Sequence, residues 1–445
     1  MMVYFHSALG IFFFFIVKFV FWKLNLCCEN VSRNYVYVLL CIHKVLVGGR
    51  QEWWWHYCCR AKNFDYSNAG KVYLEAVDWI DRLNAFMGIC YFDPKVSRLQ
   101  PRFIWGITTL FIYIYLAFES TYWYRNDVEK LLLCITTHGF SVQMASKVYT
   151  FIINRSQVVE VNTMNRDYFE METTKSVTVQ NSHKSSATIA YILLKMTAAC
   201  YIILVGLIVL GPAIGGAIVS EKILPFGFEL SHSNAWPAYI MNLAFHVNCG
   251  FYVAFLTTSS DSTFILYLLT AVGQIDAISG LLNELNEMLE KNASEEVISL
   301  QLRRIFQLHQ HHFAYMRMFK NMFQYYFMMA ITMLYFCMSI CLAAFVLINW
   351  YMGVLVFCFC SAQIFYMCFL GTALQSKTEF LMKEIDSFSW YRLSVPNQKF
   401  AILFLASAQN PILLSAAMVK LNVATYLQVH KSVYSFLMLL LRIKQ

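Results

Sequence analysis

Charge is scarce in this chain. Of its 445 residues only 13% are Asp, Glu, Lys or Arg, where soluble domains carry about 25%. Proline (7) and glycine (17) are also few, which excludes collagen-like, disordered and linker-rich chains. There is no Gly-rich phosphate loop, dinucleotide fingerprint, Gly-x-Ser-x-Gly elbow or Cys-x-x-Cys pair, so neither an enzyme nor a cofactor is expected. The one tight histidine group, His309, His311 and His312, lacks the His-Glu-x-x-His spacing and acidic partner of a metal centre. It reads as a solvated or interfacial helix face. Net charge is +8, but no basic block interleaved with aromatics is present, and nucleic acid is not an expected partner.

What is present is grease. Apolar residues make up 59% and aromatics 17%, more than a soluble globule could hide. Crossing a bilayer takes about 20 mostly apolar residues, and seven such runs stand out, at 103–120, 131–153, 187–210, 237–270, 323–348, 350–374 and 413–441. The fold class is therefore all-α: a polytopic membrane protein with seven transmembrane helices. The fourth run is too long for one crossing and carries Thr257, Thr258, Ser259, Ser260, Asp261 and Ser262, so its far end is expected to leave the lipid as a continuing helix. Most of the 14 cysteines lie inside apolar runs or in the first 60 residues and read as small core hydrophobes.

Positive charge stays on the cytoplasmic side. Segments 60–102, 154–186, 271–322 and 375–412 hold 20 Lys and Arg, and the opposite segments hold 5. The amino terminus is thus expected inside and the carboxyl terminus outside, opposite to a G-protein-coupled receptor. On this topology the Asn154 and Asn292 glycosylation sequences face the cytoplasm and stay bare. The chain divides into an atypical leader (1–64), a cytoplasmic amino-terminal region (65–102), six spans (103–374) with cytoplasmic helices at 271–322, a cytoplasmic anchor segment (375–412) and the last span (413–445). The leader, which also holds Asn30, reads either as an extra hydrophobic segment or as an extension of the gene model.

The last run is too polar for a lipid-facing helix. Wound as one helix, it aligns Lys420, Lys431 and Arg442, spaced by eleven residues, on one arc with Gln428, Ser432, Ser435 and Thr425. Leu439 and Ile443 share that arc and would set an oily ring near its outer end, of the kind that gates pores by dewetting. Two readings stay open here: a wet face lining a pore, which one helix cannot enclose alone, or polar groups that bond neighbouring helices. The segment 274–321 has amphipathic spacing, with Ile275, Ile278, Leu282, Leu285, Met288 and Leu289 on one side. That stripe suggests oligomerisation under the membrane, and Ser294 is expected to cap a second helix there. For a ligand, the outer halves of the second, third, fourth and sixth runs offer His138, Ser141, Ile203, Gly206, Phe245, Trp350 and Tyr351 as apolar walls with a few polar handles.

The carboxyl end carries a specific set of residues. Trp390 and Tyr391 precede Leu393, Ala408 and Gln409 precede Pro411, Leu421 and Asn422 precede Thr425 and Tyr426, and Ser432, Tyr434, Ser435 and Phe436 precede a leucine run. Together with the Gly371-containing end of the sixth run, these residues resemble the insect odorant receptor family over about Asp65 to Gln445. The related gustatory receptors carry a Thr-Tyr start and a Gln-Phe end on their last helix. Here Tyr434 follows Val433 and Arg442 stands near the glutamine position, so the odorant branch fits better. The resemblance implies a ligand-gated, non-selective cation channel in the plasma membrane of olfactory sensory neurons. It implies a hetero-oligomer, a tetramer with a co-receptor subunit, that binds a small volatile ligand in the outer half and conducts through the last helix. By the family's pattern Leu439 and Ile443 match gate positions, with Gln428, Lys431, Ser435 and Arg442 along the pore. A ring of four Arg442 side chains would repel cations, so this chain is expected to conduct poorly alone. A seven-helix receptor signalling through G proteins is the alternative from another class.

Overall fold

A computed structural model describes residues 69–89, 92, 100–172, 176–416 and 419–444. The leader and Asn30 lie outside the described residues. Among the described residues ten α-helices follow in order: α1 (Ala69–Phe86), α2 (Pro101–Trp123), α3 (Val128–Val148), α4 (Arg155–Glu172), α5 (Val177–Val219), α6 (Trp236–Glu290), α7 (Glu295–Ile348), α8 (Met352–Ser387), α9 (Val395–Ala408) and α10 (Val423–Lys444). One two-stranded antiparallel ribbon, β1 (Ser415–Ala416) and β2 (Val419–Lys420), joins the last two.

Local chemistry sets the boundaries. Proline opens α2 and α6 in the first turn, where its missing N–H is no loss. The Asp127 side chain accepts from the Lys130 amide at the start of α3, next to Glu129 at the positive helix end. Helices α5 and α7 stop at Ser220 and Asn349, both in the left-handed conformation. Ser294 stands at the head of α7 with extended backbone, but its side chain makes no capping bond. The expected hydroxyl cap is therefore absent, and Glu295 and Glu296 alone suit that helix end.

Five helices, α2, α5, α6, α7 and α8, are long and apolar enough to cross a membrane. Helices α3 and α10 have 21 and 22 residues, enough for a crossing, but are more polar. Helix α6 is continuous over 55 residues, about 80 Å at 1.5 Å per residue, so it runs well beyond a bilayer core, as the fourth run requires. Its polar stretch is packed inside the bundle: Thr257 to Thr263 are all buried. The amphipathic stripe beyond it is buried too, with Ile275, Ile278, Leu282, Leu285 and Leu289 inside this chain's own core. That stripe is therefore covered by the chain itself, not left for a second copy. Glycine permits close approach at several points, Gly139 and Gly371 among them. A Cβ on Gly139 would meet the Met333 carbonyl of α7 at 3.2 Å, and one on Gly371 would run into the Leu421 backbone just before α10.

The carboxyl run is not one helix. Asn410 and Pro411 end α9, the ribbon follows, and α10 begins only at Val423, with the Asn422 side chain accepting the Thr425 amide at 2.9 Å. Lys420 therefore sits on β2, and its expected helical alignment with Lys431 and Arg442 is replaced by an extended backbone. Thr425 leaves the polar arc as well. It is buried, and its hydroxyl donates to the Lys420 carbonyl at 2.7 Å.

Candidate functional site

The most costly feature of the bundle is a charged pair inside it. Lys147 of α3 and Asp261 of α6 lie 3.5 Å apart with both side chains fully buried. The Tyr326 hydroxyl of α7 donates to Asp261 at 2.5 Å, and the Tyr201 (α5) and Tyr366 (α8) hydroxyls lie within the carboxylate's electrostatic reach. One turn from Lys147, the Gln143 amide donates to the Gln363 side-chain oxygen of α8 at 2.8 Å. Phe140, Phe359 and Tyr201 close the neighbouring space, with ring centroids 6.1 and 5.3 Å apart.

Around this pair, protein groups leave much hydrogen-bonding capacity unused. Gln143 Oε1, Gln363 Nε2, and Thr257 and Thr258 Oγ1 are buried without a hydrogen-bond partner among the described residues. Such groups are normally satisfied, so their concentration marks a place built for a polar occupant or water. The sequence signals were a lysine inside an apolar run and the polar stretch at 257–262. Read as the end of a helix leaving the lipid, the second hid its meaning.

The residues singled out beforehand are scattered. His138 Nε2 pairs with the Thr121 hydroxyl at 2.9 Å, and the Ser141 hydroxyl donates to the His138 carbonyl at 2.8 Å. Phe245 packs edge-on to Phe228. Ile203 and Tyr351 are exposed, nothing lies within 4 Å of a Cβ built on Gly206, and Trp350 covers Gly353 at the turn into α8. No single cavity gathers these seven. The end between α2, α3 and α6 nearest the start of α3 is filled by the loop 221–235. Phe228 is buried there, its carbonyl 2.8 Å from His246 Nε2, and the Asn242 side chain accepts from the Leu230 and Ser231 amides.

Helix α10 lies against α7 and α8 by one face, with Val433 and Leu437 buried and His430 Nε2 3.0 Å from the Ser361 hydroxyl. Its other face turns away from this chain: Gln428, Lys431, Ser435, Leu439 and Arg442 are all exposed. Ile443 belongs to the helix, but its side chain lies outside the described residues.

In the first half of α7 the histidines are not solvated. His309 and His312 are buried. His312 Nδ1 donates to the Gln274 side-chain oxygen at 2.9 Å, His309 lies against Phe404 and Ser407, and His311 stacks on Tyr168. Burial lowers the imidazole pKa of His309 to about 4 and that of His312 to about 3. Among the described residues no group of His, Cys, Asp and Glu could hold a metal.

The fold is shared with two solved structures of the insect olfactory receptor OR5 from Machilis hrabei, one of them in complex with eugenol. Both are 16% identical to this chain and cover 83% of it and 99% of their own length, with TM-scores of 0.64 and 0.65. The sequence profile described as 7tm Odorant receptor matches residues 127–434. That match takes in the buried Lys147–Asp261 cluster, the histidine-bearing part of α7 and the first half of α10, and the chain belongs to the odorant receptor family.

Proposed function

We propose that this odorant receptor is the ligand-recognising subunit of a ligand-gated, non-selective cation channel formed with a co-receptor in the plasma membrane. The observation that carries the reading is α10. A helix near the end of a membrane chain holds Gln428, Lys431, Ser435 and Arg442 on a face that its own chain leaves uncovered. In a bilayer such a face needs water or protein against it. Leu439, exposed on the same face, would narrow a pore there, and Ile443 is one turn further along. On the cytoplasmic side Phe380, Tyr391, Val395, Ile402 and Leu403 are exposed outside the apolar spans, which supports assembly with other chains through α8 and α9.

In this reading α3 and α10 complete seven spans with the amino-terminal region inside. A small volatile molecule binds between α3, α5, α6 and α8, with Gln143, Tyr201 and Gln363 as polar contacts and His138 and Ser141 nearer the outer end. Because eugenol occupies one of the Machilis receptors, the class of ligand is carried over, not the molecule. The ligand biases the helices between two packings, and α10 moves to wet the Leu439 constriction.

The test is current recorded from cells expressing this chain with and without a co-receptor, across an odorant panel and under G-protein blockade. Odorant-evoked current that needs the co-receptor and survives the blockade is expected. Loss of the response under blockade would transfer the function to a metabotropic receptor. Tags on both termini check the orientation.

A further inference from the structure

Helix α10 is fastened to α8 along its first half and loose beyond it. At its start the Val423 amide donates to the Thr372 hydroxyl at 3.0 Å, and the Leu421 backbone fills the space left by Gly371. One to two turns on, Tyr426 and His430, with ring centroids 4.2 Å apart, meet Ser361, which is fully buried. The Tyr426 carbonyl, 3.0 Å from His430 Nδ1, can only accept, so Nδ1 carries the hydrogen. In the neutral ring Nε2 is then an acceptor. The Ser361 hydroxyl donates to it at 3.0 Å, which leaves the serine oxygen to accept from the Tyr426 hydroxyl at 3.2 Å. Three side chains thus form one directed chain of hydrogen bonds between two helices.

Past this joint the fastening stops. Among the described residues no side chain from Lys431 to Arg442 hydrogen-bonds another helix, and Val433 and Leu437 are the buried residues of that stretch. Ser432 and Ser435 turn their hydroxyls back onto the Gln428 and Lys431 carbonyls at 3.0 and 2.9 Å, a bond that loosens a helix and favours bending. The weak point of α10 therefore lies just beyond its last cross-link. Helix α8 is placed to work that cross-link. Ser361 and Gln363 are two residues apart on it, about 200° around the axis, and project to opposite sides. Gln363 accepts from Gln143 of α3 beside the buried ion pair, and Ser361 faces α10. A turn of α8 that repacks Gln363 against α3 moves the Ser361 hydroxyl off His430, and a hydrogen bond weakens steeply with such misalignment.

We propose that Ser361 and His430 are positioning residues for gating: their hydrogen bond holds α10 against its own chain, and its release lets the helix beyond His430 swing to wet the Leu439 constriction. This joint matters only if α10 lines the passage, as the channel reading holds, and it supplies the step from ligand packing to pore.

The test is a double-mutant cycle on the full chain expressed with its co-receptor, read as odorant-free current and as effective odorant concentration. Ser361→Ala and His430→Phe are each expected to raise the odorant-free current and to lower the effective concentration about fivefold, the worth of about one net hydrogen bond. The double variant is expected to shift no further than either single one, since both remove the same bond. Ser361→Thr, which keeps the hydroxyl, is expected to lie closer to the parent chain than Ser361→Ala. His430→Leu replaces His430→Phe if surface labelling shows that the latter fails to assemble. The rank order of odorants is expected to stay the same, and a changed order would overturn the proposal by placing these residues in the ligand site. Single variants without a shift at normal surface level would overturn it too, as would a double variant shifted about twenty-fivefold, the product of two independent effects. In both cases the parent current leaves the channel reading intact. A parent pair without odorant-evoked current would remove both.

Discussion

Lys147 and Asp261 show what a single residue can decide in this molecule. Each would be intolerable alone in a low-dielectric interior, and each is held by the other at 3.5 Å. Removing one partner strands the other, so Lys147→Met or Asp261→Asn alone is expected to destabilise the assembled receptor by about 3–5 kcal/mol. Replacing both at once is expected to cost much less, because no buried charge is left over. Thermal inactivation in detergent, followed as loss of the assembled peak in gel filtration, measures both. Gln363 sits a helix away with an unused amide N–H. If it reads the polar end of an odorant, Gln363→Leu is expected to raise the effective odorant concentration about tenfold, the equivalent of about one hydrogen bond. Surface labelling controls for expression, and an unchanged dose–response curve at normal surface levels would remove Gln363 from the site.

At the scale of elements, α10 and the first half of α7 behave in opposite ways. Helix α10 keeps polar groups on an uncovered face, and Leu439 is the oily residue described on that face. Leu439→Ser is expected to raise current in the absence of odorant severalfold, because a hydroxyl keeps a narrow passage wet. Whole-cell recording at fixed voltage checks it. Helix α7 instead buries its polar groups. His309 and His312, ordinarily near 6.5, are lowered by burial to about 4 and about 3. The unfolded state therefore binds more protons than the folded one once pH drops below about 6.5, so stability falls on acidification down to about pH 3. Protection of the α7 and α9 amides, the exchange rate taken relative to its intrinsic value at each pH, is expected to fall at pH 5 relative to pH 7, and His312→Gln is expected to reduce that difference.

For the whole molecule, the exposed apolar residues of α9 matter most. Ile402 and Leu403 are 60% and 63% exposed on a helix whose other side, with Ala401 and Phe404, is buried in this chain's core. A 14-residue helix is too short to cross a bilayer, and one that is apolar on both sides requires a second surface. The double variant Ile402→Glu, Leu403→Glu is expected to dissociate the assembly toward the 51.8 kDa of one chain, read by mass photometry, while leaving the membrane helices folded. Unaltered mass would place the assembly contacts elsewhere.

The sequence by itself determined the membrane class, the helical architecture and the polar last helix. Those follow from composition, from run length against bilayer thickness, and from period, all of which are local. The family was legible in the residues flanking α9 and α10 for the same reason: they are contiguous. Which face meets which was settled by the tertiary structure alone. The polar stretch at 257–262 looks solvent-exposed until Lys147, more than a hundred residues earlier, supplies its counter-charge. The stripe at Ile275 to Leu289 looks unpartnered until the neighbouring helices cover it, and the alignment of Lys420 with Lys431 holds only until the Asn410–Pro411 break and the ribbon separate them. Burial is a property of pairs of surfaces, and periodicity reports only one surface of each pair.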